Sequence, residues 1–164
     1  MTPLAFFLSW TCYGHWLHGD ERGSVDPEHN LFGEQWLSPD AEHCREAQEK
    51  MTQPAYELDQ PRRRLVLDAI REVCRHRAWI LHAVHVRALH VHVVVAGEAK
   101  PERMMNDFKA YASRALNQVG FDSPDRRRWT RHGSTRYIYH PKHLLAVINY
   151  VLNKQGDPME RFPE

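Results

Sequence analysis

Cysteine is scarce in this chain of 164 residues: Cys12, Cys44 and Cys74 are odd in number, widely spaced and form no CxxC pair. That speaks against both a disulfide framework and a cysteine zinc site. Long apolar runs are missing too; none approaches the roughly 20 residues of a membrane span. The opening stretch, Met1 to Trp10, has neither a basic n-region nor a small-residue cleavage site. The expectation is a cytoplasmic protein with no membrane partner. Charge of one sign is also lacking, since 22 Lys and Arg stand against 21 Asp and Glu. Global charge therefore does not announce a nucleic-acid partner. The length suits one domain, 1–164, and is enough to bury a core.

Charge distribution says more than the total. Acidic residues crowd between Asp20 and Asp59, whereas arginine gathers later, first at Arg62-Arg63-Arg64 and then at Arg126-Arg127-Arg128-Trp129-Thr130-Arg131. The first cluster reads as a solvated face. The second, with His132 and Arg136 close behind, combines phosphate-binding charge with an aromatic. Trp129 either stacks on a base or anchors its strand in the core.

Apolar and aromatic residues over 4–12 predict a first strand. A polar stretch over 13–60, broken by Gly14, Gly19, Gly23, Pro27, Pro39 and Pro54, is long for a loop in a compact domain. A helix follows Pro61, with Leu65, Leu67, Ile70, Val73 and Cys74 at helical spacing. Strands are predicted at 78–86 and 89–96 around a tight Arg87-Ala88 turn, then a helix over 101–119, a strand near 128–139 and a helix from Pro141 to Gly156. This order predicts an α+β fold of the ferredoxin-like kind, an antiparallel sheet with helices packed mainly on one face.

The third strand carries His90-Val91-His92-Val93-Val94-Val95. Side chains on a strand alternate, so His90 and His92 share a face while Val91, Val93 and Val95 share the other. Two adjacent imidazoles can grip one metal ion, although two histidines on a solvated face would show the same pattern. The last helix sharpens the reading. At about 100° per residue, Leu144, Leu145, Val147, Ile148, Val151 and Leu152 form an apolar stripe, and Tyr150 lies well outside it beside His143, Ala146, Asn153 and Lys154. Tyr111, by contrast, centres its own stripe with Phe108 and reads as structural. A phenol with an ordinary pKa near 10 is a poor nucleophile at neutral pH, so attack on a phosphodiester needs a nearby cation. His90 and His92 are the candidate ligands for a divalent metal, Mn²⁺ or Mg²⁺, the latter needing further oxygen ligands. Lys154, one turn beyond Tyr150, is a candidate to approach the phenol or phosphate.

In these residues the chain resembles the single-tyrosine HUH transposases (His-hydrophobic-His), in particular the REP-associated tyrosine transposases and their insertion-sequence relatives. The resemblance extends to Trp10-Thr11-Cys12-Tyr13-Gly14, Trp16-Leu17-His18-Gly19-Asp20, the Trp129 region and Ile148-Asn149-Tyr150-Val151-Leu152-Asn153. It implies an HUH endonuclease-type fold and metal-dependent cleavage and transfer of single-stranded or hairpin DNA. The metal histidines map onto His90 and His92 and the nucleophile onto Tyr150, which would form a 5′-phosphotyrosine intermediate. Relatives include dimers that share active sites and monomers, so a homodimer stays open. Leu89 stands where many relatives have Asn, and Lys154 where some have a metal-binding Gln. Gln155, His132 and His85 are the candidates for a third ligand; for His85 a satisfied surface position competes. Two other functions fit these departures: a domesticated hairpin-binding protein without cleavage, and a small-molecule phosphoesterase that uses the histidines alone.

Overall fold

The computed structural model describes residues 1–15 and 49–164. Within them the order is β1 (Ala5–Thr11), α1 (Gln60–Arg77), β2 (Ile80–Val86), β3 (His90–Ala96), α2 (Pro101–Val119), β4 (Ser134–Ile138), α3 (Pro141–Asn153) and β5 (Glu160–Phe162). The strands form one antiparallel sheet in the order β4-β1-β3-β2-β5. Among the described residues, five antiparallel strands with three long helices make this an α+β fold, as the alternation of patterns predicts. Among the described residues no helix is long and apolar enough to cross a membrane. Cys12 and Cys74 are buried free thiols, and burial pushes each up to about 12. Cys44 lies outside the described residues.

Helix boundaries follow local chemistry. Asp59 caps α1, its carboxylate accepting from the Arg62 amide at 3.1 Å. Gly120 ends α2 in the left-handed conformation. α3 stops at Asn153, short of Gly156, and its C-cap residue Lys154 is not left-handed. The turn between β2 and β3 takes in Leu89 as well as Arg87 and Ala88, so Leu89 lies off the strand. Both flanks of that turn are held by backbone bonds, Cys12 N–H to the Leu89 carbonyl and Leu58 N–H to that of Ala88.

The described helices divide unequally between the two sheet faces. Leu8, Trp10, Val91, Val93 and Val95 meet α1 and α2 in the larger core, with Phe108, Met104, Ile70 and Val73 fully buried. α3 covers the other face, where Val147 and Val151 pack on Ala5, Phe7, Ala83, Val94 and Ile138. Leu145 departs from the predicted stripe and stands 69% exposed.

β5 has no counterpart among the predicted elements. Its three residues are half-buried, with two charges and no apolar run. Tertiary contacts hold it: Glu160 pairs with Arg63 at 2.5 Å, and the Arg71 guanidinium lies over the Phe162 ring.

Candidate active site under helix α3

β1 and β3 build the floor of the site. Their register pairs Phe7 with Val94, Ser9 with His92 and Thr11 with His90, so Phe7, Ser9, Thr11, His90 and His92 share the face that α3 covers. The His90 and His92 rings lie 4.7 Å apart, centre to centre. His92 is 2% exposed rather than solvated, because α3 roofs it. Its Nδ1 bonds the Ser9 hydroxyl at 2.6 Å. Burial first, then the neighbouring His90 and His85 rings, holds His92 neutral, well below the ordinary imidazole range. Neutral imidazole is the form that binds metals, and with Nδ1 tied to Ser9 the nitrogen left to ligate is Nε2.

Tyr150 arrives from above. It is 39% exposed, and its ring stands 6.0 Å from His92 and 6.1 Å from Phe7, edge-on to both. The rotation of Tyr150 out of the apolar stripe thus carries it over the histidine pair. Tyr111 packs at the rim of the opposite core under the Arg114 guanidinium, as a structural residue should.

The remaining candidates separate. Lys154 is exposed; because α3 has ended, its link to Tyr150 is its backbone N–H to the Tyr150 carbonyl, at 3.1 Å. Gln155 lies beyond the helix end; its amide N–H reaches the Tyr150 carbonyl at 3.4 Å, and its side chain lies close enough to His92 to act on that ring's protonation. His85 is buried, not a surface group. Its Nδ1 bonds the Val151 carbonyl at 2.9 Å and its Nε2 accepts the Met159 N–H at 3.0 Å, which leaves no lone pair for a metal. His132 is exposed in the loop after Trp129, its carbonyl accepting from Lys109. Among the described residues no trio of His, Cys, Asp or Glu could hold an ion. A cation here would take His90 and His92 with an amide oxygen from Gln155, a mixed nitrogen and oxygen set that suits Mn²⁺.

The arginine cluster does not act as one patch. Arg128 is buried, paired with Asp122 at 3.3 Å and bonded to Asn117 at 2.7 Å, so it braces the loop and does not face a phosphate. Arg126 binds Gln53 and the Pro54 carbonyl and lies over the Tyr56 ring. Trp129 anchors: its indole N–H reaches the Lys109 carbonyl and Ser113 hydroxyl, and its ring meets Trp10 edge-on. The same loop is held by the Lys109 ammonium on the Thr130 carbonyl at 2.9 Å, and burial pushes Lys109 down to about 8. Arg127 and Arg131 remain exposed. Arg136 is 4% exposed and pairs with Phe7 across β4 and β1, which puts it on the histidine face rather than in the loop patch. Trp16, Leu17, His18, Gly19 and Asp20 lie outside the described residues.

Sequence reasoning missed Ser9 and Phe7. The signal was present, since Ser9 and Thr11 interrupt an otherwise apolar strand at alternate positions.

No protein-family model matches the chain, and no curated protein matches it. Among solved structures it is similar to that of a REP-associated tyrosine transposase bound to a REP hairpin, with a TM-score of 0.50 and 12% identity over 94% of this chain and 67% of that one. At that identity the likeness is one of fold.

Proposed function

We propose that this protein is a tyrosine transposase-like enzyme that nicks and rejoins single-stranded or hairpin DNA. The observation that carries the reading is Tyr150 standing edge-on over His92, half-open to solvent, in a fold shared with a transposase solved on a DNA hairpin. A partly exposed phenol beside His92, buried and neutral, with His90 next to it, is unusual for a structural tyrosine and suited to attack on a bound phosphate.

In the reaction the Tyr150 oxygen attacks a backbone phosphorus and loses its proton. A phosphotyrosine ester forms on the 5′ side, the P–O3′ bond breaks, and the 3′-oxygen leaves as a hydroxyl. The ester keeps the phosphodiester energy, so a 3′-hydroxyl can reverse the step on the same or another end without ATP. Bound at His90 and His92, a divalent cation, Mg²⁺ or Mn²⁺, would supply positive charge to align the phosphate. Ser9 holds the orientation of the His92 ring. Arg127 and Arg131, exposed in the loop after α2, suit the flanking phosphate backbone.

A second reading, hairpin binding without cleavage, draws on the lack of a third His, Cys, Asp or Glu ligand among the described residues. Incubating the protein with Mn²⁺ or Mg²⁺ and hairpins from the flanks of its own gene separates the two. The transposase reading expects a covalent protein–DNA species that maps to Tyr150; a hairpin bound tightly without any adduct selects the second.

A further inference from the structure

Tyr150 is useful only if α3 keeps one rotation about its axis, because a slip of one residue turns the side chain by roughly 100°. α3 has little means of fixing its own end. Its last turn holds no basic residue and its C-cap is not a left-handed glycine, yet the final carbonyls of a helix need donors from somewhere.

Here the donors come from the sheet. Val151, the residue after Tyr150, has its carbonyl bonded by His85 Nδ1 at 2.9 Å, from β2. The Leu152 carbonyl accepts from Arg161 at 2.8 Å, from β5. His85 and Arg161 are themselves partners in the β2–β5 register. The second nitrogen of His85 accepts the Met159 N–H at 3.0 Å, so one ring joins the helix end to the segment entering β5. Both bonds together require the neutral Nδ1–H tautomer. Arg87 closes the turn between α3 and β5 by donating to the Asp157 carbonyl at 2.5 Å, and Glu160 ties β5 to Arg63 of α1.

We propose that His85 and Arg161 are positioning residues that cap α3 from outside and set its rotation, holding Tyr150 and Gln155 over the His90–His92 pair. The catalytic part of this proposal rests on the transposase reading; the mechanical part does not. β5 then acts as a strap whose hydrogen bonds aim the nucleophile.

The test uses the full chain as wild type, His85→Leu, His85→Asn and Arg161→Met, with two readouts. In amide hydrogen exchange, His85→Leu and Arg161→Met should speed exchange at 150–155 by about tenfold, the loss of roughly one buried hydrogen bond, with β1 and β3 much less affected. His85→Asn, whose amide N–H can replace Nδ1–H, should restore protection. Unchanged exchange at the helix end, or a loss equal across the sheet, overturns the clamp. Should His85→Leu fail to fold, Arg161→Met carries the same comparison. In single-turnover reactions with Mn²⁺ and a synthetic hairpin, His85→Leu should slow adduct formation about tenfold or more without altering hairpin Kd, and His85→Asn should recover it. An unchanged adduct rate overturns the positioning role. Absence of any adduct in the wild type overturns the transposase reading instead, and hydrogen exchange still decides the clamp.

Discussion

Under α1 and α2, strands β1 and β3 present Leu8, Trp10, Val91, Val93 and Val95; on the reverse, the same strands present Phe7, Ser9, Thr11, His90 and His92. The first face is covered by two long helices and is uniformly apolar. Among the described residues the second is covered by α3 alone, which buries Val147 and Val151 on its apolar side and holds Tyr150, next to Val151 in the chain, over His92. Burial thus serves opposite ends on the two sides. On the apolar face it supplies most of the transfer free energy that stabilises the sheet. On the histidine face it keeps His92 neutral and fixed on Ser9, at some cost in stability, and leaves a nucleophile half-exposed.

Substitutions on each face should therefore separate chemistry from stability. Tyr150→Phe removes one oxygen from a partly exposed ring, so it should abolish the covalent DNA species while changing stability by less than about 0.5 kcal/mol. Tyr111→Phe, on the opposite side, should keep the adduct. An adduct mapped by mass spectrometry to another residue would sink the mechanism. Phe108→Ala should show the reverse behaviour, losing about 3–5 kcal/mol in urea denaturation from the emptied core. A loss below about 1 kcal/mol would mean that the two faces do not differ as described.

The histidines fall between these extremes. His90→Ala and His92→Ala should both stop metal-dependent nicking, but His92→Ala should also destabilise by about 1–3 kcal/mol, since it strands the Ser9 hydroxyl beneath α3. Wild-type cleavage by either variant would exclude the proposed cation site. The pH dependence has a definite sign. His85 and His92 both have folded pKa values lowered, chiefly by burial. Their neutral forms therefore contribute stability that is complete above the unfolded value near 6.5 and is lost as pH falls below it. Urea midpoints should drop from pH 7.5 to pH 5, less steeply in His85→Asn; parallel curves for the two proteins would count against a neutral His85.

The smallest effects belong to the outer arginines. Neutralising Arg127 and Arg131 should flatten the salt dependence of hairpin binding by roughly one charge-equivalent for each phosphate that is no longer neutralised. Arg128→Ala should instead cost about 2 kcal/mol or more of stability, because it breaks a buried pair with Asp122. If Arg128 moved the salt slope and Arg127 did not, the division of the cluster would be reversed.

Periodicity alone was enough to locate β1, α1, β2, β3, α2 and α3, to put His90 and His92 on one face, and to turn Tyr150 away from the apolar stripe. Those are local properties: a period of two or of 3.6 holds whatever the strand or helix packs against. What covers a face is not local. The α3 roof over His92, the burial of His85 and the split of the arginine cluster into the braces Arg126 and Arg128 and the exposed Arg127 and Arg131 all depend on partners distant in sequence. β5 belongs with them. Three residues carry too little pattern to announce a strand, and Glu160, Arg161 and Phe162 become one through Arg63, Arg71 and the edge of β2. Gln155 came to His92 for a related reason. Once α3 stops at Asn153, helical geometry no longer dictates where its side chain points, and tertiary contacts do.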